Sequence, residues 1–178
     1  MLALYGWTLI TGDIALALFK HDTRVLFICT ENICRSPLAE GLLQHHLQHS
    51  DLRNRVKVSS AGTRTSQPGC RPDQRARKVA ADAGINLGRI RAGRVTEQDL
   101  VRSDYVIAMD KANMRDLMKL CPPEQQYKIS LLLSHLPGHN LDEVPDPYYG
   151  SIEGFDRVFQ LIDSAVEGLI SHIEDSMP

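Results

Sequence analysis

Cysteine is scarce in this chain: Cys29, Cys34, Cys70 and Cys121 are its four thiols in 178 residues. No two of them stand at metal-ligand spacing, and they are too few and too scattered for a disulfide scaffold. A reducing, cytoplasmic setting is the simplest reading. An excess of one charge is missing as well. Lys and Arg number 20 against 22 Asp and Glu, the net charge is −2, and the isoelectric point is about 6.4. That balance argues against a nucleic-acid binder held by bulk electrostatics. No apolar run is long enough to span a bilayer, so no membrane insertion is expected. What remains is one domain's worth of chain, long enough to bury a real core.

Residues 1–23 read as an N-terminal extension and 24–178 as the folded domain. The extension is apolar but broken by Thr11, Gly12 and Asp13. It lacks the basic start and small-residue cleavage site of a signal peptide. Ile14 to Lys20 reads either as a short packed helix or as an unpacked extension.

The informative stretch runs from Arg24 to Gln48, RVLFICTENICRSPLAEGLLQHHLQ. Val25 to Ile28 is the apolar, β-branched and aromatic run of a buried strand. It ends at Cys29, and after a short loop Arg35, Ser36 and Pro37 open an amphipathic helix with Leu38, Leu42, Leu43 and Leu47 on one face. Helix-opening amides have no intrahelical partners and carry positive partial charge, so a loop feeding them makes an anion cradle. Arg35 adds a planar fork that can hold two phosphate oxygens. A cysteine facing that cradle has its thiolate, the nucleophilic form, stabilised. A Cys and an Arg at this spacing also arise by chance, and a buried structural Cys at a strand end is common. The flanking strand and helix are what favour the chemical reading.

Further along, Arg55 to Ser59 alternates as a second strand, and Ser60 to Arg71 is a polar loop. Pro72-Asp73 opens a helix to about Ala83, closed by Gly84. Thr96 and Asp99 predict a cap for a short helix near Gln98 to Val101. Tyr105 to Met109 reads as a third strand, with a helix from Lys111 to Leu120 after it, and Tyr127 to Leu131 as a fourth. His135 to Tyr149 reads as an extended loop before a long helix from Ser151 to about Asp175. Strands alternating with helices predict a parallel sheet covered on both faces, with ligands at the strands' carboxyl ends, where Cys29 falls.

His45 and His49, four apart, read as a solvated face rather than a metal pair, since no third ligand is evident. His135 and His139 have Pro137 and Gly138 between them, which precludes a regular helix. The arginines from Arg64 to Arg94 read as exposed surface, some of them steering anions. Asp110 reads as a helix N-cap or as part of the site's rim. The most telling distant feature is Asp146-Pro147-Tyr148-Tyr149. A carboxyl in a proline-flanked loop has little conformational freedom, which suits a general acid, and two aromatics in a polar loop can wall a cleft for a flat ring.

Together these motifs resemble the low-molecular-weight protein tyrosine phosphatases over roughly Arg24 to Ile173. The loop CTENICRS, the acid motif Asp146-Pro147-Tyr148, SSAGT (Ser59 to Thr63), PDQRA (Pro72 to Ala76) and AMDKAN (Ala108 to Asn113) stand where the family has its landmarks. The resemblance implies an α/β three-layer sandwich with a four-stranded parallel sheet covered by helices on both faces. It implies a metal-free, cofactor-free phosphatase that forms a phosphocysteine on Cys29, with Asp146 as acid and then base. Arg35 and the amides of Thr30, Glu31, Asn32, Ile33, Cys34 and Arg35 would hold the phosphate, and Ser36 would hydrogen-bond the thiolate. Asn32 would be left-handed and braced by Ser60. Ile33, Tyr148 and Tyr149 would line the cleft, and Cys34 would trap an oxidised nucleophile as a disulfide. The implied partner is a phosphotyrosine protein, bacterial relatives often acting on tyrosine kinases of polysaccharide export.

Three positions depart from the family. Glu31 replaces a glycine, which means strain if the site needs positive φ and a like charge near phosphate if the side chain turns inward; it is expected to point outward. Ile90 replaces a histidine in a stretch whose Arg-Ala-Arg here reads Arg91-Ala92-Gly93, which removes support around Asn32. Ser66 replaces an aromatic, lowering one wall of the cleft. Competing functions are a phosphoarginine phosphatase, disfavoured by Ile33 where that branch has Thr, and an arsenate reductase, which needs an extra redox cysteine pair. The third is a weakly active phosphoprotein-binding module.

Overall fold

The computed structural model describes residues 22–177. All of the N-terminal extension but its last two residues lies outside them, and Thr23 already opens the first strand. Four strands, β1 (Thr23–Cys29), β2 (Val56–Gly62), β3 (Tyr105–Ala108) and β4 (Ile129–Leu131), form one sheet in the order β2-β1-β3-β4. Every neighbouring pair is parallel, with Cys29 opposite Gly62 and Ile28 opposite Ala108. The helices are α1 (Arg35–Leu47), α2 (Gln74–Asp82), α3 (Glu97–Arg102), α4 (Lys111–Leu120) and α5 (Ile152–Ser176).

Strand alternation divides the core into two layers. Val25, Phe27 and Ile107 share one core layer with α1, α2 and α5 through Leu38, Leu42, Leu43, Val79, Phe155 and Ile162. Leu26, Ile28 and Val106 face Leu100 of α3 and Leu117 of α4. Each fully buried side chain of this size contributes about 1.5–3 kcal/mol. The strands are apolar on both faces because both faces are covered.

Local signals set the ends of the elements. The Thr96–Asp99 capping box forms, Asp73 and Asp110 cap α2 and α4, and Gly84 takes the left-handed conformation just past α2 (φ +78°). Some boundaries differ from expectation. β2 continues through Ser60, Ala61 and Gly62, read as loop, because they pair with Phe27, Ile28 and Cys29 of β1. Tyr127 does not begin β4; it sits in a 3-10 turn, Pro123–Lys128, and is 86% exposed. Pro122 and Pro123 send the chain into that turn, and Ile129 is the first residue to reach the sheet. A second short turn, Leu132–His135, likewise precedes the expected loop. There α5 comes so close that a Cβ on Gly168 would collide with the His135 carbonyl.

Candidate active site

The parallel sheet brings the carboxyl ends of β1 and β3 together, and the chemistry gathers there. Cys29 is the last residue of β1 and Arg35 the first of α1. The loop between them is fixed from beneath by Asn32, which is fully buried and left-handed at φ 58°. Asn tolerates that region better than most residues. Its Nδ2 donates to Ser36 Oγ and Ser60 Oγ, both at 2.9 Å, and its Oδ1 accepts from the Gly93 amide at 3.0 Å. Ser60 in turn donates to Glu40 at 2.6 Å, and burial pushes the Glu40 carboxyl upward against its hydrogen bonds. The bracing expected to suffer from Ile90 is therefore intact. Ile90 packs on the core, and a backbone amide of the same segment holds Asn32.

The Cys29 sulfur accepts from Ser36 Oγ (3.1 Å) and from the Asn32 amide (3.3 Å). No side chain caps the amino end of α1, and its first turn carries no acidic residue, so the positive end of the helix faces the loop. The loop also needs space beside β2. A Cβ on Gly62 would lie 2.7 Å from the Thr30 carbonyl and 3.1 Å from the Asn32 amide.

Arg35, 3% exposed, spans to the far side of the cleft. It donates to Asp110 (2.7 Å), to the Val144 carbonyl (3.0 Å) and to Asp146 (3.1 Å). Burial works against its charge, but Cys29, Asp146 and Asp110 outweigh it and hold the guanidinium above its usual range. Asp110 fulfils its expected role as a helix cap, its other oxygen accepting from the Asn113 amide (2.7 Å), and it reaches the site through Arg35 without lining the cleft. Asn113, 3.1 Å from Thr30 Oγ1, joins that cap to the loop. Asp146 is 51% exposed, and it accepts from the Tyr148 amide (3.1 Å) as well as from Arg35.

A cleft of about 410 Å³ opens over Cys29, lined by Thr30, Glu31, Ile33, Cys34, Arg35, Asp146, Tyr148 and Tyr149, with Ser66, Gln67 and Cys70 at its other side. The structure thus brings together the predicted nucleophile, arginine, acid and cleft walls. Cys34 is buried, and that burial, with Asp73 next, pushes its thiol upward. Glu31 is not among the positive-φ residues, so the condition under which it would be strained is not met. Its carboxylate accepts from the Ser66 amide (2.6 Å) and hydroxyl (2.8 Å), and these bonds hold it below the usual carboxylate range. Two of the three departures from the family pattern, Glu31 and Ser66, meet each other at the cleft rim.

Sequence reasoning missed three features. Cys70 lies in the cleft, although its position in the chain pairs it with nothing. Arg75 is not loose surface: it ties α2 to the loop carrying Asp146 through Gly150 and Tyr148. His46, rather than His45 or His49, has a charged partner, Asp163 at 2.7 Å. The only local signal for any of these was the Pro-Asp opening of α2. Among the described residues no three His, Cys, Asp or Glu side chains gather as a metal site.

Comparison with known proteins agrees with this geometry. The family profile of low molecular weight phosphotyrosine protein phosphatases matches residues 24–177. The chain belongs to that family. A low molecular weight protein-tyrosine-phosphatase of Streptomyces coelicolor is 38% identical over 86% of this chain and 95% of its own length. Among solved structures, a protein tyrosine phosphatase from Entamoeba histolytica with Hepes in its active site superposes with a TM-score of 0.83 at 36% identity, over 86% of this chain and 98% of that one. The tyrosine phosphatase Wzb from Escherichia coli K30, in complex with sulphate, superposes at 0.75 and 31% identity over 86% and 99%. Family membership makes the chain a protein-tyrosine phosphatase, a hydrolase of phosphoric monoesters. Among the described residues no helix is long and apolar enough to cross a membrane.

Proposed function

We propose that the low molecular weight phosphatase fold here hydrolyses phosphotyrosine in proteins through a covalent intermediate on Cys29. The sulfur attacks phosphorus as the phosphorus–aryloxy bond breaks, and Asp146 gives its proton to the leaving phenolate. Asp146 then takes a proton from water while the water oxygen attacks phosphorus. The sulfur–phosphorus bond breaks, inorganic phosphate leaves and the thiolate returns. Arg35 and the amides of Thr30 to Arg35 meet the charge that develops on the equatorial oxygens. Ile33, Tyr148 and Tyr149 receive the ring.

The observation that carries this reading is the convergence on one sulfur. Ser36 and Asn32 donate to Cys29 at an uncapped helix terminus, and Arg35 links that terminus to Asp146. Cys34, under the same loop, would protect the site. Peroxide would oxidise the Cys29 thiolate to a sulfenic acid, which would condense with the Cys34 thiol to a disulfide and water. The substrate is a phosphotyrosine protein in the cytoplasm, with a bacterial tyrosine kinase of polysaccharide export as the candidate to try first. Steady-state hydrolysis of phosphotyrosine, phosphoarginine and phosphoserine peptides tests the reading. The phosphotyrosine peptide is expected to lead by more than roughly tenfold in kcat/KM. A lead for phosphoarginine, or no turnover of any of the three, overturns it.

A further inference from the structure

Arg75 sits at the start of α2, outside the set of residues that line the cleft, yet its contacts join the two halves of the site. The Asp73 amide donates to the Ile33 carbonyl of the phosphate loop at 2.8 Å. Asp73 then binds Arg75 with both carboxylate oxygens. One accepts from the Arg75 amide (2.8 Å) and Nε (3.0 Å), the other from Nη2 (2.9 Å). The remaining terminal nitrogen, Nη1, donates to the Gly150 carbonyl at 2.8 Å, 75 positions away. The guanidinium carbon also lies 4.4 Å from the centroid of the buried Phe155 ring and 5.7 Å from that of Tyr148.

Gly150 and Tyr148 belong to the turn that carries the acid. The Gly150 amide closes that turn on the Pro147 carbonyl (2.8 Å), and the Tyr148 amide donates to Asp146 (3.1 Å). A helix cap alone would account for the Asp73 contacts, and a partly exposed ion pair of that kind contributes little. It would not account for a donor reaching another loop, or for a guanidinium placed against one core ring and one loop ring. Those contacts need the planar fork of arginine.

We infer that Arg75 is a positioning residue that sets the Asp146 loop at its working distance from the phosphate loop. Through Gly150 and Tyr148 it controls proton delivery to the leaving group, and it touches no substrate atom. The inference rests on Asp146 being the acid, as proposed above.

The test uses the full chain with Arg75→Met, which keeps length and the contact with Phe155, and Arg75→Lys, which keeps charge. Thermal midpoints, inhibition by inorganic phosphate and kcat/KM over a series of aryl phosphates are measured, because kcat/KM reports the step in which the phenol leaves. For phenyl phosphate both variants are expected to lose roughly tenfold or more, since small misplacements of a reacting group cost this much. A dinitrophenyl ester, whose leaving group needs no proton, is expected to lose less than about threefold. Phosphate inhibition is expected to stay within about twofold. Adding Arg75→Met to Asp146→Asn is expected to cost little further with phenyl phosphate, because coupled residues are non-additive. Equal losses across the series, losses that track phosphate inhibition, or full rescue by lysine each overturn the inference. If Arg75→Met does not fold, the lysine variant decides alone. A flat leaving-group series for Asp146→Asn itself removes the acid assignment and this inference with it, an outcome distinct from failure of Arg75.

Discussion

The phosphate loop and the acid loop face each other across one cleft and are held in opposite ways. The phosphate loop is locked from below: Asn32 is fully buried with three side-chain bonds, and Arg35 and Ser36 are buried beside it. The acid loop lies on the surface, with Tyr149 98% exposed and Asp146 half exposed. It is held from its flanks by Arg35 and Arg75. The difference fits the roles proposed for each. Stabilising charge on phosphate oxygens requires donors that need no rearrangement at the moment of reaction. Passing a proton first to a phenol and then from a water requires a carboxyl that both can reach.

The sharpest way to break this comparison is at the sulfur. Cys29→Ser is expected to abolish turnover while phosphate or vanadate binding, measured by calorimetry, largely survives, because the rest of the phosphate loop is untouched. Residual hydrolysis at the parent rate would remove Cys29 from the mechanism. The acid loop gives the next largest effect. Asp146→Asn is expected to slow poor leaving groups by about 10²–10⁴-fold and activated phenols far less, with the thermal midpoint unchanged. Equal loss along the series would make Asp146 structural.

Two smaller tests stay within the phosphate loop. Cys34→Ser is expected to keep activity but to turn peroxide inactivation from thiol-reversible to irreversible. Burial keeps Cys34 a thiol rather than a thiolate, so disulfide closure is expected to be slower than attack by a free thiolate. Recovery of both proteins alike on thiol treatment would deny Cys34 a protective role. The smallest effect belongs to Glu31. Its carboxylate is held by Ser66 and open to solvent screening, so Glu31→Gly is expected to lower the inhibition constant for phosphate only a few-fold. A gain of about a hundredfold or more, some 2.7 kcal/mol, would mean that Glu31 restrains the site despite its partner.

The same contrast explains what could be read in advance. The phosphate loop is contiguous, and its residue types at fixed spacing made Cys29 and Arg35 legible, while the roles of Asn32 and Ser36 came only from the family resemblance. The strand–helix alternation was legible for the same reason, since periodicity is local. Asp146 showed itself only because proline and two tyrosines mark an unusual loop. What stayed hidden was held through space or by backbone atoms. Gly93 braces Asn32 with an amide that every non-proline residue possesses, which is why the change at Ile90 looked more damaging than it is. Arg75 lies among other arginines and differs from them only in what the fold puts within its reach. Glu31 and Ser66 each looked like a loss until the loop after β2 laid one against the other. Tyr127 misled because an aromatic beside a short apolar run reads as strand, while two prolines upstream turned the chain.

Arg35 and Asp146 stand 111 positions apart, and this separation sets a timetable. At a synthesis rate of about 5–20 residues per second, Arg35 leaves the ribosome roughly 5–20 seconds before Asp146. The helix that roofs the same side of the sheet, α5, is the last element of all, and it packs on α1, the first helix after the nucleophile. A chain ended before Asp146 and α5 therefore carries Cys29 without its proposed proton donor and α1 without the helix that packs on it. Products ended before Asp146 and α5 are expected to be inert toward phosphotyrosine.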